Sequence, residues 1–171
     1  MNIDFNAGEI FEMAKQIERN GARFYRLAAE GATDPKDRQM LLGLALMEDE
    51  HERVFASMKE ELLGSEQLST VFDPHGEGAS YLRAMADGHV FDVKTDPADF
   101  FAGQKSLEDI LRKAIGLEKD SIVFYLGMKE MVPPRLGKDK IEHIIREEMK
   151  HIVLLNRELV AQRRSPAHLQ G

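Results

Sequence analysis

The sequence predicts an all-α fold, a four-helix bundle made of two helical hairpins joined by a long crossover. Apolar residues recur at helical spacing in four long segments, and Gly and Pro mark the ends of those segments. About forty residues separate the second and third segments, whereas a simple helix–helix turn needs about 2–8. We expect a single domain over 1–171, with hairpin 1 at about 6–64, the crossover at 65–104 and hairpin 2 at about 105–163.

The first hairpin has clear start and stop signals. Its first helix is predicted over 6–30 and stops at Gly31. Asp34 then caps a second helix that has Pro35 in its first position, runs to residue 63 and closes at Gly64. The inward faces read Phe11, Ala14, Glu18, Gly21, Tyr25 and Ala28 on the first helix, and Leu41, Leu44, Met47, Glu48, His51, Phe55, Met58 and Leu62 on the second.

Gly and Pro residues interrupt the crossover. Two short helices are predicted within it, one in "ASYLRAMADG" and one in "DPADFFAG", the latter capped by Asp96. The third long helix begins with a capping box of Ser106 and Asp109, and spans 106–131; the fourth spans 138–162. Their inward faces read Leu107, Leu111, Ala114, Glu118, Ser121, Tyr125 and Met128, and Ile141, Ile144, Glu148, His151, Ile152, Leu155 and Leu159.

Composition narrows the classes of function. The net charge is -7 with basic residues scattered among acids, which argues against nucleic acid or an anionic membrane as the main partner. No run approaches the ~18 apolar residues of a membrane span, and the N-terminal sequence lacks a signal-like apolar core, so we expect a cytoplasmic protein. With no cysteine, any metal must bind to Glu, Asp and His, a ligand set that suits iron, manganese or zinc.

The two halves of the chain repeat each other. "AKQIERNGARFY" (14–25) aligns with "AIGLEKDSIVFY" (114–125), and both halves carry an E-x-x-H motif on a long helix. The polar residues on the inward faces share one offset of 100, pairing Glu18 with Glu118, Tyr25 with Tyr125, Glu48 with Glu148 and His51 with His151. This pattern predicts a duplicated hairpin, packed about an approximate two-fold axis.

The repeated motif has the chemistry of a metal site. Residues three apart on a helix lie on one face with Cβ atoms about 5–6 Å apart, so Glu48 and His51 can bind one ion together. Glu148 and His151 can bind a second. Four carboxylates in an apolar core would repel one another and resist ionisation, whereas two divalent cations would neutralise them.

These residues resemble those of the rubrerythrin-like, ferritin-like di-iron proteins. The resemblance covers the four helices and rests on the two E-x-x-H motifs with Glu18 and Glu118. It implies ferritin-like topology, two iron ions with Mn or Zn as substitutes, and oxidation of the reduced centre by peroxide or dioxygen. It also implies a homodimer, and an electron donor that is a separate protein because no cysteine-rich rubredoxin domain is present. The implied metal ligands are Glu18, Glu48, His51, Glu118, Glu148 and His151.

One departure from rubrerythrins widens the range of functions. They carry a second Glu one turn from the third-helix ligand, where this chain has Ile115 and Ser121. The six-ligand set is closer to ferroxidase-like and hydroxylase-like relatives. The alternatives to a peroxidase or oxidase are therefore a ferroxidase, a hydroxylase with an exposed apolar crossover, and a bundle whose metal is only structural.

The remaining polar residues receive simpler interpretations. Tyr25 and Tyr125 lie two turns beyond Glu18 and Glu118, and we favour core aromatics whose hydroxyls bond to a ligand carboxylate over redox residues. Residues off the inward faces are assigned to the surface, together with histidines that have no partner at ligand spacing: Asp49, Glu50, Glu52, Glu147, His75, His89, His143 and His168.

Overall fold

The fold is all-helical throughout the part of the chain that the computed structural model describes, residues 7–63, 77–86, 95–132 and 134–164. Five α-helices are present there, together with two short 3-10 segments, and no strand. The α-helices are α1 (Ala7–Gly31), α2 (Pro35–Leu63), α3 (Glu77–Ala86), α4 (Leu107–Met131) and α5 (Lys138–Arg164). The four long helices α1, α2, α4 and α5 form the bundle and confirm the predicted fold class.

The helix ends follow the predicted capping residues. The Asp34 carboxylate accepts a hydrogen bond from the Lys36 backbone N–H at 2.7 Å, at the start of α2. Ser106 and Asp109 form a reciprocal capping box, with both backbone N–H groups 3.1 Å from the partner side chain. Before α5 the chain turns at Gly137 with φ +93°, a conformation that favours glycine.

Both short helices predicted in the crossover are present. One is α3, which packs on α4, and the other is a 3-10 helix, Pro97–Phe101, which packs on α1. Asp96 caps the 3-10 helix by accepting from the Ala98 N–H at 2.9 Å. The Tyr81 ring of α3 lies against α4 where Gly127 has no side chain, and a Cβ at that position would overlap the ring.

The bundle core consists of two apolar layers with a polar layer between them. Each of the four long helices crosses all three layers, because its Glu residue on the inward face falls between the two groups of apolar side chains. The first layer includes Phe11, Phe55, Tyr125, Met128 and Ile141. The second includes Phe24, Tyr25, Leu41, Leu111 and Leu155.

Four residues assigned to the inward faces are less buried than predicted. Met47 is 37% exposed, so its assignment to the core was wrong. Successive residues on a helix are about 100° apart, so with Glu48 directed at the bundle axis Met47 turns toward the surface. Gly21, Leu107 and Ile152 are half-buried. Among the described helices, none is long and apolar enough to cross a membrane.

Candidate metal centre

The polar layer of the bundle contains all six predicted metal donors. Their residues are each 4% exposed or less, and every long helix supplies at least one of them. The set is Glu18 from α1, Glu48 and His51 from α2, Glu118 from α4, and Glu148 and His151 from α5. Charged residues are rarely buried this completely unless they are paired or bind a metal.

The six side chains form two overlapping groups, each with its donor atoms within 4.8 Å of one another. One group is Glu18, Glu48, His51 and Glu148, and the other is Glu48, Glu118, Glu148 and His151. Glu48 and Glu148 belong to both groups. The arrangement therefore offers two neighbouring ion positions that share two carboxylates.

Both histidines direct Nδ1 into the centre. The two oxygens of Glu148 divide between them, with Oε1 2.8 Å from His51 Nδ1 and Oε2 2.8 Å from His151 Nδ1. The remaining carboxylates are a little farther away, Glu18 at 3.6 Å from His51 and Glu118 at 3.4 Å from His151. The imidazole rings lie nearly parallel, with centroids 5.8 Å apart.

Several buried donor atoms lack hydrogen-bond partners among the described residues. They include Glu48 Oε1, both oxygens of Glu148 and Nδ1 of both histidines. Short contacts exist between these atoms, such as the 2.8 Å between His51 Nδ1 and Glu148 Oε1, but they do not have the geometry of hydrogen bonds. Native proteins rarely leave buried polar atoms unpaired. Carboxylate and imidazole donors arranged in this way fit divalent iron, manganese or zinc.

Protons can balance the charges in the metal-free centre. Burial raises the pKa of Glu18 and of Glu118 well above the ordinary value, and the nearby Glu48 charge raises both further. Burial alone would also raise the pKa of Glu48, but His151 and His51 outweigh it and hold that pKa at about 2. Burial would lower the pKa of His151, but the surrounding carboxylates raise it to about 12.

The other two donors follow the same pattern. Burial and the Glu48 charge would raise the pKa of Glu148, yet His151 and His51 lower it below the ordinary value. The pKa of His51 is raised by Glu148, Glu18 and Glu48 against the effect of burial. These directions favour two imidazolium ions facing two carboxylates, with protons on Glu18 and Glu118. Protonation can therefore offset the charges of the carboxylates when no metal is bound.

The two tyrosines bond to the outer carboxylates, as expected of core aromatics. The Tyr25 hydroxyl donates to Glu118, and the Tyr125 hydroxyl donates to Glu18. Each bond crosses from one hairpin to the other, and each tyrosine belongs to a different apolar layer. Burial raises the pKa of both phenols, so both hydroxyls remain donors. The tyrosines thereby hold Glu18 and Glu118 in fixed orientations from opposite ends of the centre.

Glu147, which the sequence assigned to the surface, is a further functional candidate. Its side chain is 26% exposed, and its Oε2 lies 3.0 Å from Nε2 of His51, a contact that the sequence did not predict. Glu147 is turned by ~100° from Glu148, which directs it into the groove between α5 and α2. There it lines a surface cavity of about 720 Å³ that reaches His51. The sequence repeat distinguishes this residue, because the equivalent position in the first half, 47, has a methionine where the second half has a carboxylate.

The other predicted surface residues that the structure describes lie outside the centre. Asp49 pairs with Arg26 and Glu52 with Arg19 along the outside of the first hairpin, and Glu50 pairs with Arg53 at 2.7 Å. His143 is exposed, with Nε2 3.5 Å from Glu147 Oε2. His75, His89 and His168 are outside the described residues.

Comparison with known proteins supports the fold. No family model matches the chain, and no curated protein does. Among solved structures, the chain is similar to a Thermotoga maritima protein provisionally named a ferritin-like diiron-carboxylate protein. The TM-score is 0.65 with 23% identity, covering 94% of this chain and 96% of that one. The four-helix architecture is therefore ferritin-like, as the sequence predicted.

Proposed function

We propose that this protein is a non-haem di-iron oxidoreductase of rubrerythrin type, which reduces peroxide or dioxygen with electrons from a separate donor. The observation that carries the proposal is the buried set of four carboxylates and two imidazoles, in which Glu48, Glu148 and both histidines have atoms without a hydrogen-bond partner among the described residues. Four carboxylates and two neutral histidines balance two divalent ions in charge. When bound, iron would supply the electrons for reducing the oxidant.

The side chains have separable tasks in this proposal. Glu48 and Glu148 would contact both ions, because they belong to both donor groups. Glu18 with His51, and Glu118 with His151, would each complete one position. The Tyr25 and Tyr125 hydroxyls hold the outer carboxylates, and the two apolar layers exclude water from the centre. The chain thus fixes the geometry of the donors and excludes water from them, while the metal would supply the redox chemistry.

A second candidate is oxidation of Fe(II) for storage or detoxification. The cavity beside His51 favours it, because acidic side chains of Glu50, Asp139 and Glu147 line a route from solvent to the centre. An entry route for ferrous ions needs such ligands. A hydroxylase has less support, because Phe100 and Phe101 of the crossover pack on Phe24, with ring centroids 5.6 and 5.2 Å away.

Anaerobic purification followed by metal analysis tests the proposal. We expect about two iron ions per chain. The reduced protein should be oxidised by added peroxide and turn over when a reductant is supplied. Iron uptake well beyond two ions per chain, without peroxide turnover, would favour the second candidate. Glu50→Gln removes a carboxylate from the cavity wall without touching the donor set, and it should slow iron uptake if the second candidate is correct.

A redox-inert site would contradict both functions. Protein that retains zinc but shows no oxidation after reconstitution with iron would indicate a structural metal. Protein that binds no divalent ion at all, with Glu148→Gln indistinguishable from the unmodified chain, would reject the metal centre itself.

A further inference from the structure

We infer that Glu147 is a positioning residue that makes the two metal positions unequal, so that the position at His51 binds its ion more tightly. This inference rests on the proposed two-metal centre and concerns which half of it fills first. It arises from one difference between the halves: His51 has a carboxylate partner on its outer nitrogen, whereas His151 has none within the described chain.

The Glu147 contact fixes which nitrogen of His51 faces the metal. A carboxylate only accepts hydrogen bonds, so the Nε2 atom 3.0 Å from Glu147 Oε2 carries the proton. Nδ1 then faces into the centre, where Glu148 Oε1 lies at 2.8 Å, and it would present its lone pair to an ion bound there in place of a proton. A carboxylate on the outer nitrogen both orients the imidazole and makes it a stronger ligand.

The other half lacks this device. Nε2 of His151 is buried and has no hydrogen-bond partner in residues 7–63, 77–86, 95–132 or 134–164. The position equivalent to Glu147 by the offset of 100 is Met47, whose thioether is a weak acceptor without charge. Within the described residues, the outer nitrogen of His151 therefore has no partner that would orient its ring.

The expected size of the difference follows from metal sites in general. Changing a carboxylate that supports a metal-bound histidine typically lowers metal affinity about 10–100-fold. The two ions should therefore bind in two steps separated by about that factor, with the Glu18 and His51 position filling first. Since Glu48 and Glu148 serve both positions, they do not contribute to the difference.

Cobalt(II) binding to the full chain tests the inference, with affinities from calorimetry and site environments from the visible bands of the bound ion. Unmodified protein should show two steps about 10–100-fold apart. Glu147→Met makes the halves alike and should lower the affinity of the first step to that of the second. Met47→Glu should instead raise the metal affinity of the second step. Position 47 can accommodate a carboxylate because it is 37% exposed.

Two controls separate positioning from general effects. Glu60→Gln removes an exposed negative charge from α2, away from both the cavity and the donor set, and should leave both steps unchanged. Glu147→Asp keeps the acceptor and should retain part of the separation. In Glu147→Met, only the visible bands of the first ion should change, because only His51 loses its carboxylate partner.

The outcomes distinguish the inference from the function on which it rests. Two equal steps in the unmodified protein, or an equal loss at both steps in Glu147→Met, would overturn the inference while leaving the two-metal centre intact. Fewer than two cobalt ions bound by the unmodified chain would overturn both. An increase in the second step of Met47→Glu supports the inference even if Glu147→Met folds poorly.

Discussion

The two hairpins carry the same residues at the donor positions and different residues at positions beside them. Glu18, Glu48 and His51 have counterparts at 118, 148 and 151, and the tyrosine bonds cross symmetrically between the halves. Beside them, Met47 stands against Glu147 and Gly21 against Ser121. The Ser121 hydroxyl bonds to the Leu117 carbonyl at 3.0 Å, whereas a side chain at Gly21 would begin 3.4 Å from Glu48.

The difference teaches which positions the chemistry constrains. Each carboxylate would be needed to balance the charge of two divalent ions in a dry core, and each histidine would supply a ligand atom, so the loss of any one would leave a charge unbalanced or a ligand position unfilled. The neighbouring positions only orient or crowd a donor. They can differ between the halves without removing the centre, and they provide the means of making its two positions unequal.

The largest effect should come from the shared carboxylates. Glu148→Gln removes a ligand common to both positions, so both ions should bind more weakly by more than the ~100-fold upper range for a supporting residue. Glu18→Gln should weaken mainly one ion. Metal content after dialysis and calorimetric titration measure both. If Glu148→Gln keeps one ion at unaltered affinity, the carboxylate is not shared and the symmetric description of the centre fails.

Removing the metal should change how stability depends on pH. The pKa values of Glu48 and Glu148 are lowered, so their contribution is present above the ordinary 4.5 and is lost as pH falls toward the folded value. The pKa values of both histidines are raised, so their contribution is present below 6.5 and is lost as pH rises through the folded value. The contribution of Glu18 and Glu118, whose pKa values are raised, is also lost with rising pH.

Metal-free protein should therefore melt at the highest temperature in a narrow window near pH 4.5. Above it the protein should become less stable, first through Glu18 and Glu118 and above about pH 6.5 also through the two histidines. Metal-loaded protein should show the opposite trend above that window, because ions bind the deprotonated donors. Melting temperatures with and without chelator across that range give the measurement. A metal-free form as stable as the loaded one in alkali would indicate that the donors are not compensated by metal.

The two tyrosines should have equal effects on stability. Tyr25→Phe and Tyr125→Phe each leave a buried carboxyl without its donor, which costs about 1–3 kcal/mol of unfolding free energy. Tyr81→Phe is a control, because its hydroxyl bonds to the Val123 carbonyl at the surface, where water can replace it. Urea unfolding compares the three. A large difference between Tyr25→Phe and Tyr125→Phe would show that the halves differ beyond Met47 and Glu147.

The smallest effect should follow from filling the space at Gly21. Alanine is favoured over glycine in a helix interior by about 1 kcal/mol, and its Cβ would meet Glu48 at an ordinary contact distance of 3.4 Å. Gly21→Ala should raise the melting temperature by roughly 2–4 °C and leave two ions bound. Loss of an ion from this variant would show that Glu48 needs the empty space to move.

The sequence predicts the centre well because the repeat and the helical period agree. Glu48 and His51 lie on the apolar face of α2, and an equal pair lies 100 residues later. The contact of Glu147 with His51 and the exposure of Met47 were missed for one reason. The helical period predicts on which face of its own helix a residue lies. The surroundings of residues 47 and 147 depend instead on the groove between α2 and α5, whose shape is set by the packing angle and the distance between the helices. Comparing the two halves at unequal positions would have drawn attention to both.

The protons favoured in the metal-free centre have a consequence for loading. The pKa values of Glu18, Glu118, His51 and His151 are all raised, so filling both positions should release up to about four protons to solvent. The bundle would then exchange protons for divalent ions. Acidification alone would drive the ions out, with no helix needing to move.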